Sequence, residues 1–192
     1  MDELVDILDD KGAYTGEQLM KSEAHRKGLF HPTVHIWFYT KDARVLIQKR
    51  GSRKKTYPLL WDVSVAGHVA AGENILSAAI RETQEEIGLE IEPEVLKKIG
   101  VYRSEQVHNE NFKDFEFHHS FICELHKPLK DLKKQISEVE DLALIPLIRF
   151  AEETWGLGNR SAFVPHQGNY YKEVVIAIQT ALKQSDKNIG LA

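Results

Sequence analysis

Cysteine is almost absent from this sequence, in which Cys123 is the one thiol among 192 residues. A single thiol cannot form an internal disulfide, which excludes a disulfide-framed secreted scaffold and fits a reducing compartment. Long apolar runs are also missing, because stretches such as 34–39 are strand-sized and far short of the ~20 residues of a membrane-spanning helix. The acidic first residues contain no basic leader of a signal peptide. We therefore expect a cytoplasmic protein with no membrane association.

Positive charge is not in excess, since 25 Lys and Arg face 29 Asp and Glu, for a net charge of −4. We therefore expect no nucleic-acid partner. Apolar residues make up 42% and charged residues 28% of the chain, which is typical of a soluble globular protein. No repeat, low-complexity tract or Pro/Ser-rich linker marks a boundary, so the length predicts one domain. The sequence leaves open whether the protein forms a homodimer.

Strand-like and helix-like runs follow one another irregularly along the chain. Strand-like runs lie at Leu4–Leu8, Val34–Thr40, Val45–Lys49, Asp62–Val69, Val95–Tyr102 and Phe115–Leu125, and helix-like runs lie at 17–27, Ile75–Ile87, 146–154 and 169–184. Because they mix without a regular βαβ repeat, the order predicts an α+β fold. Gly88 follows the clearest helix, where a left-handed C-cap is expected. Neighbours on a strand point to opposite faces, so at most one of His118 and His119 can face a site.

The clearest helix, Ile75–Ile87, carries three clustered acids. Glu82, Glu85 and Glu86 have an i, i+3, i+4 spacing, which projects three carboxylates over about one turn. Like charges this close repel, and Arg81 offsets only part of that repulsion. A hard divalent cation such as Mg²⁺ or Mn²⁺ is the stronger remedy. The alternative interpretation is an ordinary solvated acidic helix face.

The residues before this helix extend the pattern into a family motif. The segment from Gly67 to Leu89 resembles the Nudix box, GX5EX7REUXEEXGU, of the Nudix (MutT-like) hydrolase family at eight positions: Gly67, Glu73, Arg81, Glu82, Glu85, Glu86, Gly88 and Leu89. One position departs from it, because Thr83 stands where the pattern has a bulky aliphatic residue. The resemblance implies a single Nudix domain over 1–192, with an N-terminal extension over 1–30, a core over about 31–165 and a C-terminal helix over about 169–184.

The resemblance also implies a fold, a reaction and a set of site residues. The fold would be an α/β/α sandwich around a mixed sheet, and the reaction a metal-dependent attack of water on a diphosphate linkage. The catalytic group would be Glu82, Glu85, Glu86 and Arg81, with Arg81 and Glu73 supporting the site. The metal, Mg²⁺ or Mn²⁺, would be held by the three glutamates and by the carbonyl of Gly67.

A second resemblance points to one branch of the family. The segments Ala24–His31, Gln48–Arg50, Pro58–Trp61 and Gly67–His68 look like type I isopentenyl-diphosphate isomerase and its Nudix relatives. In those isomerases, histidines at the positions of His25, His31 and His68 bind a metal with glutamates from a later strand. Glu116 lies on such a strand here. The resemblance therefore implies a second metal site formed by His25, His31, His68 and Glu116.

Two departures weigh against isomerase activity. The isomerases carry a catalytic cysteine immediately before the glycine that opens the box, where this chain has Ala66. They also tend to have a degraded box, whereas this box keeps its glutamates. We therefore expect hydrolysis of a nucleoside diphosphate or a related diphosphate. The alternatives are the isomerase reaction and a non-catalytic regulator that binds a nucleotide-like ligand.

A basic run precedes the box, with cations at Lys49, Arg50, Arg53, Lys54 and Lys55. Such a run can attract a polyanionic phosphate and neutralise the charge of its leaving group. The alternative is a solvated loop, which charge runs usually form. With a small-molecule diphosphate as the implied partner, we expect Arg50, Lys49 and His68 to bind substrate.

Overall fold

The computed structural model describes residues 2–158 and 160–189, which form strands, four helices and short 3-10 turns. The strands are β1 Leu4–Leu8, β2 Tyr14–Met20, β3 His31–Tyr39, β4 Arg44–Arg50, β5 Trp61–Asp62, β6 Val65–His68, β7 Lys97–Asn109, β8 Phe112–Glu124 and β9 Val139–Pro146. The helices are α1 Lys21–Lys27, α2 Ile75–Ile87, α3 Leu147–Thr154 and α4 Tyr170–Ile189. Within the described ranges, no helix is long and apolar enough to cross a bilayer.

Seven strands form a mixed sheet. Its main order is β5-β4-β3-β8-β7, with β6 also paired to β3 and β9 to β4. β3 and β8 run parallel, and the other pairs are antiparallel. β1 and β2 form a separate two-stranded sheet, which touches the rest through bridges such as Val5 to Ala70. The mixed sheet with helices confirms the predicted α+β class.

Helices cover both faces of the large sheet, because side chains alternate along its central strand. Every residue of β3 is buried. Val34, Ile36 and Phe38 pack in the core that includes buried side chains of α2. Trp37 and Tyr39 pack in a second core with α3 and α4. The layers are therefore helix, sheet and helix, which confirms the predicted α/β/α sandwich.

The N-terminal part of the chain differs from the prediction. The helix predicted over 17–27 is wrong in its first half, because β2 continues to Met20 and α1 covers only Lys21–Lys27. Side chains of β2 are nearly all exposed, so the strand lacks the alternating burial that would reveal it. Its pairing with β1 fixes the extended conformation. β7 and β8 are also longer than predicted and form one extended hairpin.

Candidate active site

The register of three strands decides which polar side chains share the α3/α4 face of the sheet. His31 pairs with Glu116 across the parallel β3 and β8, and Thr33 pairs with His118. Thr33 also pairs with His68 on the antiparallel β6. Residues opposite one another in a sheet project from the same face, so these side chains meet over one surface. His118 lines the resulting pocket, whereas His119 projects from the opposite face.

A cluster of three histidines and a glutamate lies at one end of this surface. Ligand atoms of His25, His31, His68 and Glu116 all lie within 4.8 Å of one another. α1, β3, β6 and β8 each contribute one residue. The Nε2 atoms of the three histidines are buried and have no hydrogen-bond partner. The structure therefore brings together the four residues that the isomerase resemblance grouped, as a mixed nitrogen and oxygen donor set suited to a divalent metal.

The protonation of this metal-free cluster is uneven. Burial, reinforced by the rings of His31 and His68, lowers the pKa of His25 to about 3. Burial also lowers the pKa of His68. For His31, burial opposes protonation, but the Glu116 carboxylate, 3.6 Å from His31 Nε2, outweighs it and raises the pKa. Burial likewise opposes ionisation of Glu116, yet His31 and His68 hold its pKa well below the usual range. A bound cation would compete with the proton that the raised pKa of His31 favours.

Asp114 lies beside the cluster and was not predicted from the sequence. Its Oδ1 atom lies 3.5 Å from His25 Nε2, and its Oδ2 atom lies 3.0 Å from His108 Nε2. Burial and the charge of Glu116 raise the pKa of Asp114 to about 6. Asp114 and Glu116 are two residues apart on a strand, which places both side chains on one face. This spacing was the signal that could have predicted Asp114.

The carboxylates of the Nudix box lie on the α2 side of β6, the side opposite to Ala66 and His68. A Cβ atom added to Gly67 would lie 1.9 Å from Cδ of Glu82, so this position requires glycine for the acid to approach the strand. Arg81 Nε and Nη2 donate to the two carboxylate oxygens of Glu73 at 2.9 Å each. Arg81 also donates to Glu82 at 2.7 Å and to the carbonyl of His68 at 3.0 Å. Arg81 thus connects α2 to β6 and to the turn before the helix.

The three box glutamates differ in burial. Glu86 is 3% exposed, and its Oε2 atom accepts hydrogen bonds from Gln48 at 2.8 Å and from the Ala66 N–H at 3.2 Å. Burial raises its pKa to about 7. Burial also raises the pKa of Glu82, whereas the side chain of Glu85 is 49% exposed at the rim. Thr83, the departure from the motif, is buried with its hydroxyl satisfied by the Ala79 carbonyl.

The histidine cluster opens into a pocket of about 1000 Å³ with a basic rim. Gly67 and His68 line it, and the cations around it are Lys21, Arg26, Arg50, Arg53, Lys54 and Lys55. Arg50 donates to the Asp62 carboxylate at 3.3 Å and to the Thr56 carbonyl at 3.1 Å. Lys49, predicted beside it, is not among the lining residues, and its Nζ atom lies over the Trp61 ring. Alternation along β4 separates these two neighbouring cations.

Beyond the cluster lies a surface of the pocket that we call the deep wall. It is formed by the rings of His35, His118 and His166, with Asp62 and Tyr170 behind them. The rings of His35 and His118 stack with centroids 4.1 Å apart. His166 Nε2 donates to Asp62 Oδ1 at 2.7 Å. Burial opposes ionisation of Asp62, but His166 and Arg50 hold its pKa below the usual range. This wall was not predicted from the sequence, because its residues come from distant parts of the chain.

Known relatives agree with this architecture. The NUDIX domain model matches residues 29–165. A Nudix hydrolase of Clostridium acetobutylicum is 32% identical over 203 residues, which cover 92% of this chain and 97% of the relative. Nudix hydrolase 3 of Arabidopsis thaliana is 30% identical over 171 residues, but these cover 88% of this chain and only 22% of that much longer relative. An isopentenyl-diphosphate Delta-isomerase of Serratia proteamaculans is 30% identical over 122 residues, which cover 64% and 66% of the two chains.

Solved structures show the same fold. A Deinococcus radiodurans protein superposes with a TM-score of 0.65 at 18% identity, covering 91% of this chain and 98% of that one. A MutT protein of Methanosarcina mazei superposes with a TM-score of 0.57 at 14% identity, covering 82% and 96%. At such identities the likeness concerns the arrangement of the backbone and carries no conclusion about substrate.

Proposed function

The chain belongs to the Nudix family, and from this membership we propose that it is a metal-dependent hydrolase that cleaves a diphosphate linkage in a nucleoside diphosphate or a related small molecule. The observation that carries the proposal is the packing of two box acids against β6. Glu82 occupies the space that a side chain at position 67 would fill. Glu86 accepts a hydrogen bond from the Ala66 N–H on the same strand.

Two groups of residues are candidates for holding a divalent cation. Carboxylate oxygens of Glu82, Glu85 and Glu86, with the Gly67 carbonyl, would supply the hard oxygen ligands that Mg²⁺ or Mn²⁺ prefers, in exchange for the pairing of Arg81 with Glu82 and Glu85 in this structure. The unpartnered Nε2 atoms of the histidine cluster, with Glu116, form a mixed set that suits a first-row ion such as Mn²⁺. Buried nitrogen atoms without partners are costly, and ligation would remove that cost.

When bound, the cation supplies charge neutralisation for the diphosphate and acidifies the attacking water. The protein's own residues do the rest. Arg50, fixed by Asp62 and Thr56, presents a positive charge to the phosphate oxygens. Lys54 lies on the same rim, paired with Glu138. Arg81 holds Glu82 and Glu73 in place through a planar fork that a lysine cannot reproduce.

The test is a panel of nucleoside diphosphates, dinucleotides and isoprenyl diphosphates, assayed for released phosphate or nucleoside monophosphate. We expect turnover of at least one member with Mg²⁺ or Mn²⁺, and loss of that turnover when EDTA removes the cation. Restoring the metal should restore activity. Turnover that is unchanged in EDTA would contradict the metal-dependent mechanism.

The isomerase reaction is the second candidate, because the histidine cluster and the isomerase relatives favour it. That reaction moves a proton off and onto carbon, which requires an acid and a base on opposite sides of the alkene. Ala66 lines the pocket at the position of the isomerase cysteine and cannot transfer a proton. We therefore expect no conversion of isopentenyl diphosphate to its dimethylallyl isomer with Mg²⁺ or Mn²⁺.

The Ala66→Cys variant makes this prediction sharper. A gain of isomerase activity in that variant would show that only the cysteine is lacking, whereas robust conversion by the unchanged protein would overturn the prediction. The third alternative, a non-catalytic regulator, is disfavoured by the complete set of box carboxylates.

A further inference from the structure

The three histidine rings of the deep wall have no part in the reaction proposed above, although they line the same pocket. We propose that this wall binds the organic group of the diphosphate substrate and selects a hydroxyl-rich group over a hydrocarbon chain. The inference rests on the proposed function for the location of the diphosphate, and it concerns what is attached to that diphosphate.

Strand geometry gives the wall the position that this role requires. His31, Thr33 and His35 follow one another at two-residue steps on β3, beside Glu116, His118 and Ser120 on β8. Each step advances about 6.6 Å along a strand. The wall therefore begins one step beyond the histidine cluster. A group attached to a diphosphate that is held at the cluster and the basic rim reaches this distance.

The wall offers a polar atom that the protein itself does not use, because Nε2 of His118 is buried and has no hydrogen-bond partner. Gln106 and Ser104 pair across the hairpin with Asp114 and Glu116, so they line the pocket beside the histidine cluster and are not part of the wall. Unsatisfied buried groups are rare in proteins and are often explained by a ligand or water. A hydroxyl can both donate and accept, so it can hydrogen-bond to Nε2 of His118 in either tautomer of the ring.

The rings of the wall are held in fixed orientations from behind. Because the Asp62 carboxylate accepts, Nε2 of His166 carries a hydrogen, and this hydrogen bond fixes the orientation of the ring. His35 Nδ1 hydrogen-bonds to the hydroxyl of Tyr170 at 2.7 Å, and Trp37 Nε1 donates to the same hydroxyl at 3.0 Å. Such a supporting layer is typical of functional sites, where donors and acceptors must not rotate away from the ligand.

A hydrocarbon group would lie against these atoms without satisfying them. Sites that are built to hydrogen-bond a ligand reject the analogue that lacks the polar group far more strongly than apolar pockets reject an extra methylene. The large apolar side chains nearby, such as Trp37 and Phe150, are fully buried in the core behind the wall. The wall therefore favours hydroxyls.

The test compares two five-carbon ligands that cannot be hydrolysed at the diphosphate bridge. These are the methylenediphosphonate monoesters of ribose, through O5, and of n-pentanol, and their binding with Mg²⁺ is measured by titration calorimetry. We expect the ribosyl ester to bind at least about tenfold tighter. Equal affinity, tighter binding of the pentyl ester, or no measurable binding of either ester would overturn the inference.

Variants of His166 separate recognition from a merely structural role. His166→Phe should weaken the ribosyl ester by about tenfold and change the pentyl ester by less than about threefold, whereas His166→Gln should keep most of the preference. His119→Phe is the control, since His119 lies on the opposite face of β8, and both affinities should stay unchanged. An equal loss for both esters in His166→Phe would show that the ring only maintains the fold.

Hydrolysis of methyl diphosphate, which has almost no organic group, reports the proposed function separately. A ribosyl preference without any hydrolysis contradicts the proposed function and supports the inference. Hydrolysis without a ribosyl preference supports the proposed function and overturns the inference.

Discussion

Glu86 combines the deepest burial of the three box acids with few compensating contacts. Its carboxylate accepts from Gln48 and from one backbone N–H, and the pKa that burial raises to about 7 means that ionisation in the folded protein is unfavourable. In the unfolded chain the same group ionises near 4.5. The folded state therefore binds more protons between these values, and the stabilisation from this group is lost as pH rises from about 4.5 to about 7.

We expect Glu86→Gln to act in opposite directions on activity and stability. The amide oxygen can keep the bond from Gln48 while removing a buried charge, so the metal-free variant should gain on the order of 1–3 kcal/mol at pH 8 and much less at pH 5. Turnover should fall on the order of a hundredfold or more. Thermal unfolding at the two pH values and steady-state kinetics measure these effects.

Glu90→Gln is the matched control, because Glu90 is exposed just beyond α2. It should leave both the melting temperature and turnover unchanged. Near-wild-type turnover in Glu86→Gln would show that Glu86 has no part in the reaction.

α2 is fixed at both ends and in its middle. The Asn74 side chain accepts from the Leu76 N–H at the start, and Gly88 has a φ of 62° at the end, as its predicted left-handed cap requires. In the middle, Arg81 reaches Glu73 and the carbonyl of His68. The arginine therefore sets the distance between the helix and β6.

Replacing Arg81 by lysine should loosen this connection. A lysine has one ammonium group and cannot donate in parallel to both oxygens of Glu73 while also reaching Glu82. We expect Arg81→Lys to lower the free energy of unfolding by about 1–2 kcal/mol and to weaken Mg²⁺ binding together. Urea unfolding and calorimetric metal titration measure the two quantities. Arg149→Lys on the exposed side of α3 is the control. If both quantities stay unchanged in Arg81→Lys, Arg81 does not support the site.

Local signals account for the elements that the sequence predicts well. The bounds of α2 follow from apolar steps of three and four residues and from Gly88, which all lie within a few residues of one another. β2 has no such signal, because its exposed side chains do not alternate and its partner β1 determines its conformation. The same holds for the outer halves of β7 and β8, which stabilise one another across the hairpin.

Across the whole molecule, the site residues likewise divide into those that a signal in the sequence reveals and those that have no such signal. The box residues are recognisable because they lie within one segment of chain, and the resemblance to a known family groups the distant His25, His31, His68 and Glu116. The deep wall has neither signal. His166 and Asp62 are 104 positions apart, and His35 and Tyr170 are 135 apart, so only the packed tertiary structure joins them.

Buried histidines should make the whole metal-free protein sensitive to acid. Burial lowers the pKa of His25 to about 3 and the pKa values of His118 and His119 to about 4, whereas all three titrate near 6.5 when unfolded. The unfolded chain then binds more protons, so their stabilisation is lost as pH falls below about 6.5. The groups whose pKa is raised act in the opposite sense, namely Glu82, Glu86, Asp114 and His31, but the lowered pKa values of His35 and His68 add to the effect of the three histidines. We expect a melting temperature several degrees lower at pH 5 than at pH 7.

Measurements in EDTA across this pH range, by calorimetry or circular dichroism, test the prediction. His119→Phe removes one of the three histidines without touching the pocket, so its melting temperature should depend less steeply on pH. A flat dependence in the unchanged protein would mean that the buried rings titrate normally.

β6 has one further consequence, for how such a protein can evolve. Gly67 faces the carboxylates of α2, whereas its neighbours Ala66 and His68 face the pocket and the histidine cluster. A single four-residue strand thus separates two donor sets with different chemistry. Mutations can accumulate on one side while selection preserves the other, so a lineage can exchange one reaction for another without passing through an unfolded ancestor. Among the relatives of this chain, one bears the name of a hydrolase and another that of an isomerase.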